Sequence, residues 1–166
     1  MNTFTTLFLI FLSTSLAVQI WLSFRHAGHV ARHRAKVPDA FAAQIPLEEH
    51  QKAADYTLAK GKIGRLELVW GTLLLLVWTI GGGLDLLDSL LRTFQWSPEW
   101  TGAAVFFSLF LIGGLLDLPF DLYRTFVLEQ RFGFNRTTFK IWLGDRFKGL
   151  LLLLIVILVG ILFDII

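Results

Sequence analysis

Four long apolar runs decide what this chain can fold into. They cover residues 2–24, 66–90, 100–122 and 149–166, and the first carries no charged side chain. A stretch of about 18 or more apolar residues with few charges is long enough, as a helix, to cross the hydrocarbon layer of a bilayer. The expected fold is all-α, a polytopic transmembrane helical protein with four spans and cytoplasmic amphipathic helices. Composition agrees. Only 17% of residues are charged and mean hydropathy is +0.64, whereas a soluble domain carries about a quarter charged residues. Ser15-Leu16-Ala17 could pass for a signal-peptide cleavage site. No positive residue precedes the run, however, and it continues past Ala17 to Phe24, so a retained membrane helix is expected.

The charges are placed unevenly. Of fifteen Lys and Arg residues, eight fall between Arg25 and Arg65, six between Arg124 and Lys148, and Arg92 stands alone. With four spans those two basic loops share a side, and the positive-inside rule makes it the cytoplasmic one. The N-terminus and the loop from Arg92 to Trp100 then face outward. On that topology Asn135-Arg136-Thr137, a match to the N-glycosylation acceptor, lies in the wrong compartment and is fortuitous. Net charge is only +2, so no nucleic-acid partner is expected. With no cysteine, disulfides and thiolate metal sites are excluded. The last apolar run stops at Ile166 without a polar or aromatic boundary, and a longer parent protein is expected.

Local signals divide the connectors. Pro46 opens a helix to about Lys60, with Glu48 and Glu49 complementing its first turn; Gly61 and Gly64 are expected to loosen the chain before the second span. Gly81-Gly82-Gly83 permits close helix approach or a break. Pro119 removes a backbone donor from the third span and predicts a kink. The helix then runs to near Gly133 and restarts with Asn135 or Thr137 as N-cap. Phe139, Trp142, Leu143 and Phe147 share one face of an amphipathic helix, expected to lie at the interface before the chain turns into the fourth span.

Candidate chemistry is sparse. His26, His29 and His33 share a helical face in a zinc-compatible spacing. Arg25, Arg32, Arg34 and Lys36 would repel a dication there, and no nearby carboxylate would orient the rings; a basic patch on anionic headgroups is the better reading. His50 follows two glutamates but has no second histidine four residues away. The carboxylates Asp85, Asp88, Asp117, Asp121 and Asp164 lie near span ends, where snorkelling accounts for them. Asp117 is singled out as the candidate intramembrane polar residue, because Pro119 frees a carbonyl beside it. Gly113-Gly114 reads as a helix-packing pair. No nucleophile elbow, phosphate loop or dinucleotide fingerprint is present.

One stretch is more specific. "LPFDLYRTFVLEQRFGFNRTTFKIWLGDRFKGLLL", residues 118–153, resembles the N-terminal membrane region of the CAAX prenyl proteases of the a-factor-converting type. The matching residues are Leu118, Pro119, Phe120, Tyr123, Phe126, Glu129, Phe132, Gly133, Phe134 and Asn135. A second patch, "KAADYTLAKGKIG" at 52–64, resembles the family's segment before its second span. The resemblance implies an integral-membrane zinc metalloendopeptidase whose helices enclose a water-filled chamber. It also implies that zinc serves the complete family protein, held by an H-E-x-x-H helix and a later glutamate. None of those residues occurs in these 166, so this chain is expected to bind no metal, to contain no catalytic residue and to be inactive alone.

Several expectations follow from the resemblance. Residues 1–166 form the N-terminal transmembrane domain, with the catalytic zinc domain absent. The partners are the lipid bilayer, a C-terminal zinc protease domain, and a membrane-associated or prenylated protein substrate. Glu129, Arg131, Asn135 and Arg136 are candidate contacts to that domain or to substrate. The alternative is a corner whose aromatics pack only on lipid. The location is the inner membrane in a bacterium or the endoplasmic reticulum in a eukaryote. Two competing readings of the chain are a non-enzymatic membrane scaffold or partner subunit, and a small transporter using Asp85, Asp117 and Asp164.

Overall fold

The computed structural model describes residues 2–164, which fold into helices without a strand. Helix α1 (Thr3–His33) starts at Asn2, whose Oδ1 accepts from Thr5 N at 2.8 Å, an N-cap that satisfies one of the orphan donors of the first turn. It passes Ala17 unbroken and carries the basic tract as far as His33. Helix α2 (Leu47–Thr79) follows Pro46, whose carbonyl accepts from His50 N at 3.1 Å. The expected loosening at Gly61 and Gly64 does not occur. Each helical glycine costs only about 1 kcal/mol, and the turns on either side hold the helix through them.

Helix α2 ends at the triple glycine, and α3 (Gly83–Arg92) leaves at 52° to it. Gly82 has φ 76°, a left-handed value that glycine adopts without steric cost. The second apolar run is therefore a broken helix. Helix α4 (Pro98–Tyr123) has Pro98 in its first turn and Pro119 inside it. A π-helical segment, Arg124–Glu129, and a single turn, α5 (Gln130–Phe132), extend it. Past the connector, α6 (Phe139–Asp164) is one continuous helix. The amphipathic face at 139–147 is thus the leading part of the last helix and no separate interface helix. The side chain of Asp164 and residues 165–166 lie outside what is described.

Helices α1, α6 and the run Pro98–Phe132 are each long and apolar enough to cross a membrane, and the bent α2–α3 pair makes a fourth candidate. Few side chains are buried, and large apolar ones such as Phe4, Phe11, Val77, Phe106, Leu152 and Val156 stand exposed. In water such surface would be an aggregation hazard; in lipid it is the solvated face.

The chain forms two compact units, residues 1–75 with 126–134 and residues 76–125 with 135–166. In the first, Val37, Ala54 and Leu128 are buried, and α1 and α2 are joined by long side chains. Arg34 meets Asp55 with Nε–Oδ1 at 2.7 Å and Nη2–Oδ2 at 2.8 Å, and Arg65 Nη1 donates to Ser23 Oγ at 3.1 Å. In the second, α4 packs on α3 and α6, burying Leu87, Thr101 and Ile161. At Gly113 and Gly114, expected at a helix contact, an added Cβ would meet nothing within 4 Å beyond their own helix.

Candidate functional site

The motif residues at 129–135 form a helix stop. Gly133 sits at φ 76°, its N–H donates to the Gln130 carbonyl at 3.1 Å, and Phe134 N–H donates to that of Glu129 at 2.8 Å. This pair of bonds is the Schellman arrangement, which closes a helix by satisfying its last carbonyls. A Cβ at Gly133 would have room, since Lys52 Nζ lies 3.7 Å from it; the constraint is the backbone. Gly133→Ala is therefore expected to cost about 1 kcal/mol, with Gly133→Asn losing less because asparagine tolerates the left-handed region. Thermal unfolding of the three proteins in one detergent checks the order.

The stop delivers two rings to α2. Tyr56 lies between Phe132, with centroids 5.4 Å apart, and Phe134, at 4.9 Å, both edge-on. The ammonium of Lys52 lies 5.5 Å from the Phe134 ring and that of Lys60 5.8 Å from Tyr56. Edge-to-face pairs and cations over rings each add about 0.5–1 kcal/mol beyond area burial. Lys52, Tyr56 and Lys60 belong to the 52–64 patch, and Phe132 and Phe134 to the long motif. The two separated patches that carry the resemblance meet in space.

Next to Tyr56 in the chain, the fork of Arg34 holds Asp55 through both oxygens. That hydrogen bonding keeps the Asp55 carboxyl below its ordinary range; partial desolvation opposes the shift, and the charges of Arg34 and Arg131 add to it. Because the folded value is the lower one, the clasp stabilises the fold above the ordinary carboxylate value of about 3.9 and is lost as pH falls through the folded value. The advantage of wild type over Asp55→Asn in thermal midpoint should therefore vanish toward the acid end of a titration. The pair is 41% and 43% exposed, so added salt should shrink the same difference.

The four residues singled out from sequence fall in different units. Glu129 is half-buried and serves through its backbone carbonyl, and Arg131 is exposed with its guanidinium 5.8 Å from the Phe132 ring. Both belong with α1 and α2. Asn135 and Arg136 belong to the second unit. Asn135 caps no helix; its Oδ1 accepts from Thr137 N at 2.7 Å, an Asx turn, while Thr138 Oγ1 takes Ile141 N at 3.4 Å. Arg136 is exposed.

Asp117 is exposed on α4 without a side-chain partner among the described residues. Sequence reasoning missed its neighbour: Asp121 accepts from Trp142 Nε1 at 2.6 Å and from Arg146. The available signal was Trp142 and Arg146 four apart, on one face of a helix, after a span ending in aspartate.

The residues present do not suit zinc. His33 Nδ1 lies 2.9 Å from the His29 carbonyl and His50 Nε2 2.9 Å from that of His33, which leaves each ring one nitrogen as a possible ligand, too few by themselves. Zinc in a protein site takes three or four Cys, His or carboxylate ligands, and no group of three such side chains is placed to hold a metal among the described residues.

Known proteins resemble the chain over most of its length. A family model described as the CAAX prenyl protease N-terminal region, with five membrane helices, matches residues 26–166. The chain belongs to the CAAX prenyl protease N-terminal family. It is 31% identical over 150 residues to CAAX prenyl protease 1 homolog of Caenorhabditis elegans, covering 87% of this chain and 32% of the relative. It is 32% identical over 143 residues to the probable CAAX prenyl protease 1 of Schizosaccharomyces pombe, covering 77% and 30%. The crystal structure of S. mikatae Ste24p shares its fold, with a TM-score of 0.82 over 92% of this chain and 36% of that one, at 24% identity. As a CAAX prenyl protease N-terminal region, the chain spans about a third of the length of the curated relatives it matches. The family makes it an integral membrane protein, in agreement with its apolar helices.

Proposed function

We propose that residues 1–166 form the membrane domain of a zinc-dependent endopeptidase acting on membrane-associated or prenylated proteins. In this reading the helices build the wall of the chamber and the zinc site lies on a C-terminal protease domain. The observation that carries it is the meeting of Tyr56 with Phe132 and Phe134, which joins the two family motifs in one built corner. Such a corner holds α5 against α2 and presents the exposed Arg131 beside it. Glu129, Arg131, Asn135 and Arg136 then contact the protease domain or the substrate, and the basic loops lie on the cytoplasmic side with the N-terminus outward. The complete protein would sit in the inner membrane of a bacterium or the endoplasmic reticulum of a eukaryote.

The test uses membranes of the source cell and an antibody to the 32–49 loop. The expected result is a band well above 18.9 kDa that co-purifies with cleavage of a farnesylated peptide, abolished by a chelator and restored by zinc. The 166-residue chain alone is expected to show none of that cleavage. A band at 18.9 kDa without peptidase activity would replace the proposal with a non-enzymatic scaffold.

A further inference from the structure

The first unit also contains a feature that the protease reading does not use. Pairing of Arg34 with Asp55 and of Ser23 with Arg65 makes α1 and α2 antiparallel. Between them lies an open groove of about 550 Å³, lined by Gln19, Leu22, Ser23, Arg65, Glu67 and Leu68 among others. Its level in the membrane follows from helix geometry. From Thr3 to Ser23 the helix rises about 30 Å, the thickness of the hydrocarbon layer. With the start of α1 at one boundary, Ser23 and Arg65 stand at the other, at headgroup level, and Gln19 about one turn inside it.

Arg65 is a cation at that level without a direct ion pair among the described residues. One guanidinium N–H goes to Ser23, and the group lies 4.6 Å from the Phe24 ring. Glu67, on the same groove, has an interaction of its own. Of five guanidinium donors most remain unspent, and their fork matches two oxygens of a phosphate. A second cation, Arg25, lies 5.5 Å from the Trp21 ring at the same boundary. Below the polar mouth, Leu22 and Leu68 continue the slot as apolar wall.

We propose that this groove is a binding site for an anionic phospholipid, its phosphate seated on Arg65 and Ser23 and an acyl chain laid along Leu22 and Leu68. A simple snorkelling arginine would enrich anionic lipid diffusely and equally at every basic position. A built groove retains one molecule and depends on one side chain.

Native mass spectrometry of the full 166-residue chain in detergent, titrated with phosphatidylglycerol or phosphatidylcholine, separates these. The expected result is one phosphatidylglycerol retained in preference to phosphatidylcholine. Arg65→Gln should weaken that retention about tenfold with phosphatidylcholine unchanged, Ser23→Ala should weaken it by a smaller factor, and Arg92→Gln should leave it intact. Undiminished retention in Arg65→Gln, or an equal loss in Arg92→Gln, would overturn the site. Displacement of phosphatidylglycerol by millimolar inorganic phosphate alone would overturn the lipid as occupant in favour of a soluble anion. Displacement of both lipids by a farnesylated peptide would assign the slot to substrate instead. If Arg65→Gln loses helicity by circular dichroism, Arg65→Lys and Ser23→Ala decide, and wild-type retention in both rejects the proposal.

Discussion

An Asp121→Ala variant is expected to lose about 2–3 kcal/mol of stability in detergent. The carboxylate is 25% exposed, takes the indole N–H of Trp142 and pairs with Arg146, so truncation removes the indole's acceptor and breaks the ion pair at once. The Arg146 guanidinium lies 5.5 Å from the Trp142 ring and retains that contact. Asp121→Asn keeps an acceptor for Trp142 but removes the charge, and about half the loss should remain. In a double-mutant cycle with Arg146→Gln, a coupling of about 1 kcal/mol or more is expected for residues sharing one network. Equilibrium unfolding by a denaturing detergent measures all five proteins: wild type, the three single variants and the double mutant. Additive losses would mean that the C-terminal end of α4 and the start of α6 are held by packing and not by this carboxylate.

Gly81→Ala should be of similar size for a different reason. A Cβ at Gly81 would stand 2.6 Å from the Val77 carbonyl oxygen and 2.9 Å from Val77 Cα. These are backbone atoms, which cannot swing aside as a side-chain tip can. Either the break between α2 and α3 shifts or the strain is retained, at about 1–3 kcal/mol for an overpacked site. Gly71→Ala is the control: it lies inside α2 with nothing within 4 Å of its added Cβ. Alanine at a helical position is favoured by about 0.5–1 kcal/mol over glycine. The two substitutions should therefore move the thermal midpoint in opposite directions. A midpoint for Gly81→Ala at or above wild type would show that the bend tolerates a side chain.

The spans were legible because lipid leaves a backbone few choices, and hydrophobic length reports them directly. Boundaries were less so. Gly61 and Gly64 read as loosening, but glycine is only a weak helix breaker, and α2 runs through both. Asn135 read as an N-cap, yet the same side-chain chemistry serves an Asx turn; which one forms depends on the backbone after Gly133. Glycine pairs posed the same ambiguity, since Gly113-Gly114 faces open space while Gly81–Gly83 marks a break. The corner was legible as a motif only through its resemblance to a family. Its contact with Tyr56 joins residues more than seventy positions apart, and no periodicity reports such a pairing. Asp117 drew notice for its place beside Pro119, whereas the partnered carboxylate is Asp121, whose donors lie on the following helix.

The two clasps between α1 and α2 have a geometric consequence. Ser23 to Arg34 is eleven residues and Arg65 to Asp55 is ten, so the fixed points lie about 16 and 15 Å apart along their respective axes. Nearly equal rungs on two antiparallel rails set the longitudinal registration of the pair. A slide of one helical turn, about 5.4 Å, would unseat both arginines together. Together with the bond from His50 to the His33 carbonyl near the connector, the clasps make the hairpin a gauge of fixed length.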